Sequence, residues 1–211
     1  MNVLVVTAHH DDLELGCGGT VAKLTDQGHR VISLVMTRSE YAGPDGVIVR
    51  SEESATAEGL LASQVLGYEL ISFDQDALDM PVNDSNVVKI LSTIQKYSID
   101  TVFTHWHGDT HPPHKRINTM VLHACRYVPR VLSFAVNWYI GEQTFSPRFF
   151  VSVDDSQWER KIRALQSYES EFQRAGARWV EYLNNQSLNY GTQVGVKRAE
   201  GYVPYKFLWG D

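Results

Sequence analysis

Residues 1–20 read MNVLVVTAHHDDLELGCGGT, and the way this stretch changes character decides the fold. Val3-Leu4-Val5-Val6 is a short apolar run, mostly β-branched, the pattern of a strand buried on both faces of a parallel sheet. It gives way to His9, His10, Asp11 and Asp12, and then to Gly16, Gly18 and Gly19. The glycines predict a tight turn, after which Thr20-Val-Ala-Lys-Leu opens a helix. Ligands of open α/β sheets bind beyond the carboxyl ends of the strands. Two imidazoles and two carboxylates stand at that place here, in consecutive positions.

Working outward, residues 30–36 read as a second buried strand, which completes a right-handed βαβ unit. Residues 38–49, rich in Gly, Pro and charge, predict a loop at the same strand-end face. The spacing of Ala55, Leu60, Leu61 and Val65 predicts a helix over 50–66, stopped by Gly67. A third strand over 68–73, a helix over 86–97 and a fourth strand over 99–104 follow. The fourth strand also ends in a cluster: His105, His107, Asp109, His111 and His114. Beyond it the pattern predicts a helix over 116–125, strands over 131–136 and 149–153, and one helix over 155–174. Residues 175–211 are mixed. With no repeat and no low-complexity linker, the expectation is a single α/β domain over 1–211, with 175–211 as a C-terminal extension packed on it.

A chain of 211 residues can bury a sizeable core, and its formal net charge of −6 argues against nucleic acid as a partner. The N-terminal segment carries no basic leader, and no apolar stretch approaches the ~18 residues of a membrane span. Cys17 and Cys125 make no disulfide framework and predict reduced thiols in a cytoplasmic protein. Self-association into a homo-oligomer is compatible with this composition.

The two clusters predict one site. The first offers His9-x-x-Asp12 and the second His111-x-x-His114. Adjacent parallel strands lie ~4.8 Å apart, so side chains at their ends can share an ion. Two histidines and a carboxylate leave a position open for water, as catalytic metal sites do. Asp11 and His111 are then left over as an acid/base pair. The same donor set also describes a non-haem iron oxygenase, with Fe2+ in place of Zn2+. The run Gly16–Thr20 has a competing reading as a phosphate cradle in a sugar- or nucleotide-binding module. It lacks the G-x-G-x-x-G spacing, and Asp11 and Asp12 would repel a phosphate. His29 and His123 read as ordinary surface histidines, and Trp106, Trp138, Tyr139 and Tyr41 as aromatics able to stack on a sugar face.

These residues resemble the PIG-L/LmbE-like zinc-dependent N-deacetylases. That family carries A-H-P-D-D-E-x-x-G-C-G-G after its first strand and H-P-D-H downstream. Here the first motif stands as Ala8-His9-His10-Asp11-Asp12-Leu13-Glu14-Leu15-Gly16-Cys17-Gly18-Gly19, and the second as His111-Pro112-Pro113-His114. The resemblance implies a Rossmann-like, mostly parallel sheet with helices on both faces, a three-layer α/β/α fold. It also implies zinc, or another divalent ion such as Fe2+, on His9, Asp12 and His114. Asp11 is then the general base, and His111 stabilises the oxyanion or protonates the leaving amine. Arg50 contacts the substrate, an N-acetylated amino sugar or its conjugate. Weaker likeness continues through Lys161, Tyr168 and Glu200. His10, Leu13 and Pro113 depart from the motifs, and none of them removes a ligand. Pro113 does remove a carboxylate; Asp109, grouped with Arg50 on the substrate side, is available to orient a histidine in its place.

Overall fold

The structure, a computed structural model, describes residues 1–138, 141 and 143–210. The first strand, β1 (Asn2–Thr7), has Val3 and Val5 in one apolar cluster and Leu4 and Val6 in another. Alternation along a strand thus feeds two cores, one on each face of the sheet. In chain order there follow α1 (Asp12–Asp26), β2 (Arg30–Thr37), β3 (Tyr41–Ala42), β4 (Ile48–Arg50), α2 (Glu52–Leu66), β5 (Glu69–Gln75), α3 (Asp84–Lys96) and β6 (Thr101–His105). The remaining elements are α4 (Pro112–Ala124), β7 (Arg130–Phe134), β8 (Phe149–Ser152), α5 (Asp155–Gln166), α6 (Glu169–Val194) and β9 (Ala199–Phe207).

The main sheet runs β5-β2-β1-β6-β7-β9-β8. β5, β2, β1, β6 and β7 are parallel, whereas β9 is antiparallel to both of its neighbours. Residues of α1, α2, α5 and α6 fill one core, and those of α3 and α4 fill the other. This is the three-layer, mostly parallel architecture expected. The chain winds outward from β1 to β2 and β5, then returns to place β6 on the other side of β1, in register from Val3 against Thr101 to Val6 against Thr104. The carboxyl ends of β1 and β6 therefore flank the topological switch point, where such sheets leave a crevice.

Three local expectations are corrected. α1 begins at Asp12, not Thr20, and runs through the glycines; only Cys17 leaves helical geometry, at φ −148° and ψ 20°. The glycines serve close packing instead of a turn. A Cβ at Gly16 would overlap the Phe134 ring, and one at Gly19 would lie 2.9 Å from Val153. The break at Cys17 frees two amides inside the helix. Glu200 accepts both, from Gly19 at 3.0 Å and Thr20 at 2.7 Å, and its charge is matched by Lys161 at 2.6 Å. Second, Arg50 does not open a helix. It ends β4 of a small hairpin within the predicted loop, and Ser51 caps α2 by accepting from the Ser54 amide. Third, the helix predicted over 155–174 is two, parted at Ser167 and Tyr168, and α6 continues to Val194. Only a few of its residues are buried, Trp179 and Leu183 among them, so its periodicity is faint in the sequence. β9, from the stretch read as an extension, lies between β7 and β8 within the sheet. No helix of the described residues is long and apolar enough to cross a membrane.

Candidate active site

At the end of β1 the chain turns directly into α1, which puts Asp12 in the first turn of the helix with His9 just before it. At the end of β6, His111 precedes α4, and Pro112 and Pro113 occupy its first turn, where a missing N–H costs nothing. His114 is thereby the first imidazole inside α4, and buried. The helix begins at Pro112 and not at residue 116 because those prolines favour its start.

Asp12 is the centre of the arrangement. Its Oδ2 accepts from the His9 amide at 2.7 Å and lies 3.3 Å from His9 Nδ1 and 3.1 Å from His105 Nε2. Its Oδ1 lies 3.3 Å from His114 Nε2. Burial alone would raise this carboxyl, but His114, His105 and His9 outweigh it and hold Asp12 well below the usual range. His114 Nδ1 donates to Asp109 Oδ2 at 2.9 Å, and Asp109 Oδ1 accepts from the His111 amide and from Asn137 Nδ2, both at 2.8 Å. Both oxygens of Asp109 are thus engaged in orienting site residues, and the side chain is buried.

Potential ligand atoms fall into two overlapping groups among the described residues, His9/His111/His114 and Asp12/His105/His114. His114 Nε2, shared by both, is buried with no hydrogen-bond partner, while its other nitrogen is held by a carboxylate. A histidine so held, with the free nitrogen facing an ionised carboxylate and further imidazoles, fits a divalent cation. Of the residues expected to ligate, His9 and His114 fall in the first group, and Asp12 and His114 in the second.

Asp11 sits beside this group on its own. Burial raises its pKa; the Arg50 guanidinium, with Nη1 at 3.4 Å from Oδ2, opposes this. Arg50 is itself buried, with Nε 3.6 Å from Glu58 and its plane over the Tyr168 ring, while Nε and Nη2 lack hydrogen-bond partners. Its charge is therefore shared between Asp11 and Glu58, not left unpaired. His111 lies 5.2 Å from His9 between ring centroids and 4.7 Å from His114. Burial, then His114 and His9, lower it to about 4.

Sequence reading left several residues of this site without a role. His10, standing where the family motif has proline, bridges Ser39 Oγ at 2.8 Å and Ser72 Oγ at 3.0 Å. Gly59 makes room for it, since a Cβ there would lie 2.6 Å from His10 Cδ2. Glu14 is buried between the hydroxyls of Tyr68 at 2.8 Å and Tyr168 at 3.0 Å, and burial pushes it up to about 8. Asn137 and His105 had no spacing signal, because their partners Asp109, Asp12 and Ala8 lie far from them in sequence or in a loop. A cavity of about 260 Å³ adjoins Asp109 and is lined by Trp106, Trp138, Asn137 and Tyr182 among others. Of the candidate stacking aromatics, Trp106 and Trp138 line it, Tyr41 is exposed on the hairpin, and Tyr139 lies outside the described residues.

A doubly wound sheet thus carries, at its switch point, a histidine–carboxylate group that could hold a cation. The chain belongs to the PIG-L family, whose model, GlcNAc-PI de-N-acetylase, matches residues 4–125 and so spans both clusters. The uncharacterized deacetylase YaiS of Escherichia coli is 30% identical over 176 residues, covering 80% of this chain and 90% of that protein. The diacetylchitobiose deacetylase of Thermococcus kodakarensis is 28% identical, covering 98% of this chain and 84% of that protein. The conserved protein TT1542 of Thermus thermophilus shares the fold, with a TM-score of 0.82 at 23% identity over 100% of this chain and 97% of that one. This membership favours neither an iron oxygenase nor an inactive binding module.

Proposed function

We propose that the chain is a zinc-dependent hydrolase that removes the acetyl group from an N-acetylated amino sugar or its conjugate, in the cytoplasm. The observation that carries this reading is His114: Nδ1 bound to Asp109, and Nε2, without a hydrogen-bond partner among the described residues, 3.3 Å from ionised Asp12. Family membership and the relatives' names supply the reaction class.

His9, Asp12 and His114 would hold the ion. When bound, a divalent zinc ion polarises a carbonyl and lowers the pKa of water toward ~7. Asp11, close to these ligands and paired among the described residues only with Arg50, takes a proton from the attacking water and returns it to the departing amine nitrogen. Arg50 keeps the Asp11 carboxylate oriented and limits its uptake of a proton beforehand. His111, at the half-exposed rim, donates a ring N–H to the carbonyl oxygen as charge builds on it, a contact of the kind worth ~3–4 kcal/mol. The products are acetate and a free amino sugar. The cavity beside Asp109, with Trp and Tyr walls and the Asn137 amide, suits a pyranose, which has an apolar C–H face and a polar rim.

The test combines metal analysis with amine release from a panel of N-acetylated sugars, sugar conjugates and sugar nucleotides. The expected result is about one zinc per chain, amine release from at least one member, and loss of both in His114→Ala. Full metal occupancy in His114→Ala would remove it from the site. Dioxygen consumption without amine release by the zinc- or iron-loaded protein would overturn the hydrolase reading.

A further inference from the structure

The ligand set just proposed leaves His105 unassigned, although it is fully buried against two of the ligands. Resting on that metal reading, we infer that His105 is a positioning residue whose Nε2–H holds Asp12 Oδ2, turning Oδ1 and His114 Nε2 together toward the ion.

The ring planes decide between ligand and support. His105 is stacked on His114 with centroids 3.8 Å apart and planes 5° from parallel. An imidazole coordinates through the in-plane lone pair, at ~2.0–2.1 Å for zinc. Near-parallel stacked planes do not meet within that reach, so one ion cannot lie in the plane of both rings. The planes of His9 and His111 stand at 61° and 85° to that of His114 and do intersect it. Of the stacked pair, His114 has the carboxylate on its far nitrogen that metal-bound histidines carry. His105 Nδ1 has no hydrogen-bond partner among the described residues. The group Asp12/His105/His114 is therefore one ligand pair with a brace.

The brace has a defined chemistry. The Ala8 amide N–H is directed at His105 Nε2 at 3.1 Å, and the same nitrogen lies 3.1 Å from Asp12 Oδ2. One nitrogen of a neutral ring cannot both accept from the first and donate to the second. A lone pair aimed at a carboxylate oxygen is repulsive, whereas N–H to carboxylate is a charge-assisted bond. With the proton on Nε2, Oδ2 receives both the His9 amide and His105, and Oδ1 is left for the cation. The ring cannot swing away, because His114 covers one face and Phe134 meets it at 5.3 Å and 65°.

The test compares Zn2+ dissociation constants, measured by chelator competition, for wild type, His105→Gln and His105→Asn, with melting temperatures taken in chelator. Glutamine carries its amide to about the place of Nε2, and asparagine only to that of Nδ1. The expected result is a 10–100-fold weaker affinity in His105→Asn, most of it recovered in His105→Gln. Should His105→Asn fail to fold, His105→Phe, which keeps the ring but no donor, replaces it with the same expectation. Unchanged affinity in the donor-less variant overturns the inference, as does equal weakening in His105→Gln. Loss of stoichiometric binding in every variant would make His105 a ligand and also overturn it. Absence of zinc binding by the wild type would overturn this inference and the metal reading together.

Discussion

Glu200→Gln should be the most destabilising near-isosteric change outside the site. Glu200 is buried, and two oxygens serve four donors: the amides of Gly19 at 3.0 Å and Thr20 at 2.7 Å, Tyr202 Oη at 3.0 Å and Lys161 Nζ at 2.6 Å. Among the described residues Lys161 has one other hydrogen-bond partner, the Leu15 carbonyl at 3.1 Å. Glutamine removes the charge that neutralises Lys161 and turns one acceptor oxygen into a donor, which then faces amides already donating. Breaking a buried pair by removing one partner costs about 3–5 kcal/mol, and each orphaned amide about 1–3 kcal/mol. The two costs overlap, so a loss of about 4 kcal/mol is expected. At about 2–4 °C per kcal/mol for a chain of this size, the melting temperature should fall by roughly 10 °C. Burial opposes the charge on Glu200, but Lys161 and the Thr20 contacts outweigh it and hold its pKa below the ordinary value. A depressed carboxyl stabilises the fold above its unfolded pKa and loses that contribution as pH falls through the folded one. The gap between wild type and variant should therefore be widest at neutral pH and narrow below about pH 4.5. Urea denaturation at several pH values measures this. A loss under 1 kcal/mol at pH 7, or a gap that widens in acid, would refute the claim that Glu200 caps the broken helix as an anion.

Asp11→Asn and His111→Ala should each keep zinc while turnover falls, on the order of 10²–10⁴-fold for the former; near wild-type turnover in either removes its assigned role. Arg50→Lys should lower kcat, because the guanidinium orients Asp11, and should also raise KM if the substrate contact implied by the resemblance is made. A change in KM alone, in steady-state kinetics, would make Arg50 a substrate contact only. Gly16→Ala should destabilise by about 1–3 kcal/mol through overpacking against Phe134, and Phe134→Leu in the same chain should restore part of it in thermal melts; a neutral Gly16→Ala would mean that α1 can shift at its kink.

The sequence by itself determined the parallel core of the sheet and the place of the site. Val3–Val6 is a short apolar run with no polar alternation, as burial on both faces requires, and 99–104 carries the β-branched and aromatic residues of a strand. Each delivers titratable residues at its end, and spacing alone pairs His9 with Asp12 and His111 with His114. What the tertiary structure decided is everything carried by residues distant in sequence. The glycines after Asp12 look like a turn because local propensity is all a sequence displays; the Phe134, Val153 and Lys161 side chains that require them come from elsewhere in the chain. α6 and β9 were faint because few of their side chains are buried in regular alternation, and β9 takes its place only through pairing with β7 and β8. Arg50 entered only as a substrate contact implied by the resemblance, since neither Asp11 nor Glu58 lies at a spacing that marks a partner. His105, lastly, is one more histidine in a cluster until its ring plane is known. Coordination depends on the direction of a lone pair, and direction is set by packing, not by spacing along the chain.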